Sequence, residues 1–262
     1  MAIRIVAAFV VACLLQACGG ESPVEPVGVP GGGFGPNPGA TPIGRPGSAP
    51  GGMPGLQPSV PGAPGAGGSA AQALQALQQA WSMVNTLSAR YELRETKGSE
   101  VETATVTFYY KKPGRYRYEV AQHSSSIKNG SSSVFDTRSR QITSRLGGVG
   151  GLVPIKGTLT DARSKSLRGW TLDQTDYASQ VEQFLAPGAA VAFAQGAGGV
   201  PMLQLTRPAR MANTVDTITM TLDPQRLLPT LIDMTAQGQL VYRKRFSALQ
   251  VNPTIASDKL NL

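Results

Sequence analysis

The chain has 262 residues, a net charge of +8, 41% hydrophobic residues, two cysteines and one histidine. That inventory excludes a disulfide-stapled scaffold and offers no Cys/His spacing for a metal site. The basic side chains are scattered rather than clustered and no nucleic-acid motif is present, so nucleic acid is not an expected partner, whereas anionic lipid or another acidic surface is compatible with the charge.

Met1 to Arg4 carries one positive charge, and Ile5 to Leu15 is an uncharged apolar run. Such a run is too short to cross a bilayer as a helix, but it has the length of a signal-peptide core. It ends in Leu15-Gln16-Ala17-Cys18, followed by Gly19-Gly20. A large aliphatic residue three positions before a cysteine, with a small residue between, resembles the lipobox of bacterial lipoproteins. The resemblance implies removal of residues 1–17 and lipidation of Cys18, on sulfur and then on the new amine. Two acyl chains anchor stably where one does not, each buried methylene contributing about 0.8 kcal/mol. Cys13 falls in the removed segment, so the mature chain is left with no free thiol. Gly19, where Asp would signal inner-membrane retention, points to the outer membrane and a periplasm-facing domain.

Residues 18–69 follow as a tether. Gly, Pro, Ala and Ser dominate, as in Pro61-Gly62-Ala63-Pro64-Gly65. Proline lacks the donor and glycine loses too much entropy for either a helix or a ladder. As a flexible coil the segment averages roughly 40 Å end to end.

A single domain is expected from residue 70 to 262. Ser69 and Gln72 have capping-box spacing. Leu74, Leu77, Trp81, Val84 and Tyr91 then recur by threes and fours, which predicts an amphipathic helix of about eighteen residues packed on a sheet. Ala104, Val106, Phe108 and Tyr110 alternate with threonines and Tyr109. Lys111-Lys112-Pro113-Gly114 makes a turn, and Tyr116, Tyr118 and Val120 alternate with Arg115, Arg117 and Glu119. Asn129-Gly130 is a further turn, and Val134 to Asp136 and Gln141 to Leu146 read as strands. Gly147 to Gly151 interrupts the pattern.

Thr171 to Leu185 reads as a helix capped by Asp173 or Thr175 and ended by Pro187-Gly188. Ala189 to Gly199 reads as a small-residue loop or lid. Strands return at Met202 to Thr206, at Ile218, Met220 and Leu222, at Ile232 and Met234, and at Leu240, Tyr242 and Phe246. About ten antiparallel strands and two helices make an α+β domain, with the helix on the apolar side of a strongly curved sheet.

Four segments in order are similar to the LolA/LolB-like family of lipoprotein-localisation factors. They are the helix running into a strand over Leu74 to Glu95, the hairpin Phe108 to Glu119, the stretch Asn129 to Ile142, and the closing strand Phe246 to Val251 with Asn252-Pro253. The resemblance implies an incomplete, or half, β-barrel covered by helices, with a hydrophobic cavity for acyl chains. It implies as partners the acyl chains of lipids or lipoproteins and a periplasmic carrier or envelope protein, and no cofactor. The candidate lining residues are Val106, Phe108, Tyr110, Tyr118, Ile218, Met220, Leu222, Ile232 and Met234; methionine suits a site that adapts to varied chains. The same pattern describes a dry core beneath the helix. In the family a basic residue before the turn proline latches the helical lid, and its match is Lys112, which lacks the planar fork of arginine.

No catalytic residue is expected. His123 reads as an exposed turn residue without an orienting acid or nucleophile. Asp136, Asp161, Asp173 and Asp176 read as turn and cap residues. Gly147 to Gly151 lacks the Lys-Ser/Thr ending of a phosphate loop. The alternative to lipid binding is an envelope sensor or complex subunit that binds a protein partner with the same fold. An open cavity favours lipid, and a filled one with an exposed apolar patch favours a protein.

Overall fold

The computed structural model describes residues 68–148, 153–211 and 213–262. The expected signal peptide, Cys18 and nearly all of the expected tether lie outside the described residues, as does part of the Gly147 to Gly151 run.

Eleven strands form one antiparallel sheet. In chain order they are β1 (Thr86–Lys97), β2 (Glu100–Lys111), β3 (Arg115–His123), β4 (Ser132–Asp136), β5 (Gln141–Arg145), β6 (Ile155–Thr158), β7 (Val191–Gln195), β8 (Pro201–Thr206), β9 (Thr217–Leu222), β10 (Pro229–Ala236) and β11 (Gln239–Val251). Their spatial order is β6-β5-β4-β3-β2-β1-β11-β10-β9-β8-β7. Two meanders, β1 to β6 and β7 to β11, are therefore joined where the first strand pairs with the last. The edges β6 and β7 do not pair with each other, so the sheet is unclosed. This is the expected α+β architecture of an incomplete antiparallel barrel carrying helices.

Helix α1 (Ala70–Ser82) precedes β1; α2 (Leu172–Thr175) and α3 (Tyr177–Leu185) lie in the connection from edge β6 to edge β7. That connection must pass from one end of the sheet to the other, which brings its helices over the inner face. Register shifts at Ser88/Arg90, Thr105/Val106, Pro229/Leu231 and Met234/Thr235 interrupt the ladders. Such bulges bend strands and increase their twist.

The capping box of α1 forms as expected: the Gln72 N–H donates to Ser69 Oγ at 3.2 Å and the Ser69 N–H to Gln72 Oε1 at 2.9 Å. The helix has 13 residues, however, and Tyr91 belongs to β1. Leu87, Ala89 and Tyr91 are all buried, so Tyr91 fits a period of two as well as the helical series. The junction is held by Asn252, whose Nδ2 donates to Met83 O at 2.9 Å and whose Oδ1 accepts from the Asn85 N–H at 2.7 Å and the Thr86 N–H at 3.2 Å.

Two other expectations change. Ala189 to Gly199 contains strand β7, an edge strand in which only Val191 and Phe193 are half-buried, too few to announce an alternation. The Thr171 to Leu185 helix is broken at Asp176, and the caps are Thr171 and Asp176 rather than Asp173 or Thr175. Strand β6 carries no apolar alternation and was not anticipated.

Candidate functional site: the helix-covered inner face

Period-two geometry sends one set of side chains from every strand under the helices. On β2 these are Val106, Phe108 and Tyr110; on β3, Tyr116 and Tyr118; on β9, Ile218, Met220 and Leu222; on β10, Ile232 and Met234. Direct cross-strand partners are Ile232 with Met220 and Met234 with Ile218. All nine candidate lining residues fall in one continuous hydrophobic cluster, at 0–8% exposure. The inner face is thus filled and covered in this state. The helices supply the cover: α1 buries Ala73, Ala76, Leu77, Ala80 and Trp81, and α3 buries Tyr177, Val181 and Phe184. Rings interlock at the contact, with Trp81 stacked on Tyr110 at 5.6 Å, Phe108 on Tyr177 at 5.8 Å, and Tyr177 edge-on to Phe246 at 5.0 Å.

Each helical segment is fastened to the sheet by a polar contact. The Lys112 ammonium donates to Trp81 O at 2.9 Å and Ser82 O at 3.2 Å, carbonyls at the end of α1, and stands 5.3 Å from the Trp81 ring. A cation at this end complements the helix dipole. Desolvation pulls its pKa below the usual lysine range. Lys112 makes point-charge contacts to these carbonyls, where an arginine would use its fork.

Lys244 does the same for α2. Its ammonium donates to Thr175 O at 2.7 Å and lies 4.8 Å from the Tyr91 ring and 5.5 Å from the Tyr242 ring. Burial pulls its pKa down to about 8, against the opposing pull of the Asp176 and Glu95 charges. Asp176, almost fully buried, caps α3 by accepting from the Ser179 N–H at 2.9 Å and Ser179 Oγ at 2.6 Å. It also accepts from the Tyr116 hydroxyl at 2.5 Å, which ties the start of α3 to β3. Burial raises its pKa, against these hydrogen bonds and the Lys244 charge. Glu95 is fully buried; its Oε1 accepts from Ser166 Oγ and the Arg168 N–H, both at 2.7 Å, and burial raises its pKa too. Glu95 Oε2, the Tyr118 hydroxyl, Gln180 Oε1 and the Gln183 amide have no hydrogen-bond partner among the described residues.

Sequence reasoning missed Lys244 and Glu95, yet both carry a signal. Lys244 sits between Tyr242 and Phe246 on the apolar row of β11, and Glu95 continues the row Leu87, Ala89, Tyr91, Leu93 on β1. A charge in such a row reads as an interruption, although it marks a buried ion. Asp176 was expected as a cap and is one.

His123 is not an exposed turn residue. Its ring is 5% exposed at the end of β3, with Nε2 at 3.0 Å from Glu102 Oε1 and Nδ1 accepting from the Ser125 N–H at 2.8 Å. That pattern leaves the proton on Nε2, facing the carboxylate. Asp136 and Asp161 accept turn N–H groups at 2.9 Å, as expected of turn residues.

No protein-family model and no curated protein sequence matches the chain. Among solved structures it is similar to a putative outer membrane lipoprotein-sorting protein domain from Vibrio parahaemolyticus, at 10% identity and a TM-score of 0.40, over 73% of this chain and 97% of that one. It is similar to a LolA superfamily protein from Nitrosomonas europaea, at 9% identity and a TM-score of 0.35, over 70% and 94%. It is similar to the MucA/MucB complex structure of Pseudomonas aeruginosa, at 18% identity and a TM-score of 0.34, over 74% of this chain and 60% of that one. These likenesses concern the fold alone. The fold is an unclosed antiparallel sheet carrying helices.

Proposed function

We propose that the chain is a non-enzymatic, periplasm-facing lipoprotein, held at the outer membrane by a lipid on Cys18, whose inner face takes up acyl chains of lipids or lipoproteins for sorting or transfer. One observation carries this reading: a wide aliphatic, thioether and aromatic floor is closed by helices whose ends are fastened to it through lysine–carbonyl contacts. Such a cover can exchange for a ligand of the same character. When α1 swings away, Leu77 and Trp81 leave the floor and acyl methylenes replace them, each contributing about 0.8 kcal/mol on burial. Lys112 is the lid latch in this scheme. Methionines 220 and 234 adapt the floor to chains of different length.

A second reading has its own observation. The nine floor residues are covered in this state, and a filled inner face suits a sensor or envelope-complex subunit that binds a protein. Native mass spectrometry of the protein purified from cell envelopes, with lipid extraction of the same sample, separates the two. Co-purifying acyl species that disappear in Met220→Asp, while circular dichroism stays unchanged, support the first reading. A ligand-free mass, with no displacement of a fluorescent fatty acid by added lipids, removes it in favour of the second.

A further inference from the structure

The outer face of the same sheet holds a basin of about 760 Å³ across β11, β1, β2 and β3. Two rows of outward side chains floor it. In the first, Arg243 of β11 stands directly across from Arg94 of β1, which stands across from Thr103 of β2. In the second, Arg245, Glu92 and Thr105 follow in the same order. Like charges directly opposite on neighbouring strands destabilise a sheet, and a carboxylate offsets the charge of only one of these two arginines. Arg243 is fixed, because Asp233 takes its Nε at 2.8 Å and its Nη2 at 2.7 Å. Arg94 and Arg245 make no ion pair among the described residues. The basin therefore holds one guanidinium in a set orientation, two that make no ion pair among the described residues, threonine hydroxyls beside them, and the Glu92 carboxylate across from Arg245.

We propose that this basin is a binding site for a phosphate group, gripped by Arg94 and Arg245 beside the fixed Arg243. Guanidinium forks match the oxygens of a phosphate bidentately, and several converging donors suit a multi-oxygen anion better than a single carboxylate. The basin has room for a head group or a small phosphate ester. It lies on the face opposite the helices, so the site stands apart from the acyl-chain reading and survives its failure. The phosphate comes either from a lipid head group or from a soluble ester.

The test uses the full chain with inorganic phosphate and chain-free glycerophosphoglycerol in titration calorimetry, and phosphatidylglycerol against phosphatidylcholine vesicles in co-sedimentation. The wild type binds at least one of the soluble probes. Arg94→Gln/Arg245→Gln weakens this at least tenfold, Arg94→Lys/Arg245→Lys falls between, and Arg138→Gln on a remote turn leaves it unchanged. The melting temperature of Arg94→Gln stays level or rises, because the opposed pair is relieved. Preference for phosphatidylglycerol vesicles, lost in the glutamine double variant, assigns the phosphate to a lipid head group. Soluble-probe binding without that preference assigns it to a soluble ester. Absence of binding to either soluble probe, equal binding by the glutamine double variant, or equal weakening by Arg138→Gln overturns the proposal.

Discussion

The two halves of the inner face are built from different materials. On the β2–β3 side the floor is made of rings, Phe108, Tyr110, Tyr116 and Tyr118, with the Tyr116 centroid 4.8 Å from Tyr110, 5.9 Å from Tyr118 and 6.0 Å from Phe135. On the β9–β10 side it is Ile218, Met220, Leu222, Ile232 and Met234, without a ring or a polar tip. Rings fix one another's orientation, and the Tyr116 hydroxyl reaches a polar partner in Asp176. Aliphatic and thioether chains fill space without such directional demands. The ring side anchors the cover, and under the acyl-chain proposal the aliphatic side is the half that repacks around a guest.

The largest expected effect falls on the ring side. Phe108→Ala removes a ring that touches Tyr91, Tyr177 and Phe246, and should lower the unfolding free energy by about 3–5 kcal/mol in a denaturant titration. A loss near 1 kcal/mol would mean that this side collapses as readily as the other. Tyr116→Phe keeps the ring and strips buried Asp176 of a donor, for about 1–3 kcal/mol; an unchanged melting curve would detach the hydroxyl from the anchoring role.

Lys244, on β11 between the halves, gives a pH signature. Its folded pKa of about 8 lies below the unfolded lysine value of about 10.4. Between those values the unfolded chain binds the proton and the folded chain does not. Stability from this group is therefore present above the window and is lost as pH falls through the folded pKa. Relative to Lys244→Met, the wild type should gain up to about 1.4 kcal/mol per pH unit between those limits. The comparison with the variant cancels the tyrosines. Parallel stability curves would place Lys244 in contact with water.

On the aliphatic side, Met220→Leu should change stability by less than about 1.5 kcal/mol. A larger loss would deny that half its tolerance. The smallest change is expected at Lys112→Met, about 0.5 kcal/mol or slightly more because the ammonium is partly exposed. Its readout is local, with faster hydrogen exchange at the end of α1 and unchanged protection in β9 and β10.

Much of this plan was legible in the residues. Threonines against aromatics on β2 and arginines against tyrosines on β3 announce both strands and both faces, and Ser69 with Gln72 announces the start of α1. Tyr91 was not legible, because one residue satisfies both a helical and a strand series and the decision is made by pairing with β11, far along the chain. Strand β7 was hidden because an edge strand of small residues buries too little to need a pattern. The nine floor residues were placed on one face by alternation alone, but alternation does not say what covers them. The fastening by Lys244 was hidden because a buried lysine interrupts an apolar row, and only the arrival of α2 supplies its partner carbonyl. The opposed arginines on the outer face depend on register, which no local pattern fixes.

The central claim is that acyl chains lie against the aliphatic half of the inner face. Methyl-labelled methionine NMR with a bound lysophospholipid tests it directly. The account predicts nuclear Overhauser contacts from chain methylenes to the methyls of Met220 and Met234, with a loss of the contacts between α1 and the floor. A lipid that binds without reaching either methyl, or that leaves α1 in place, would contradict it.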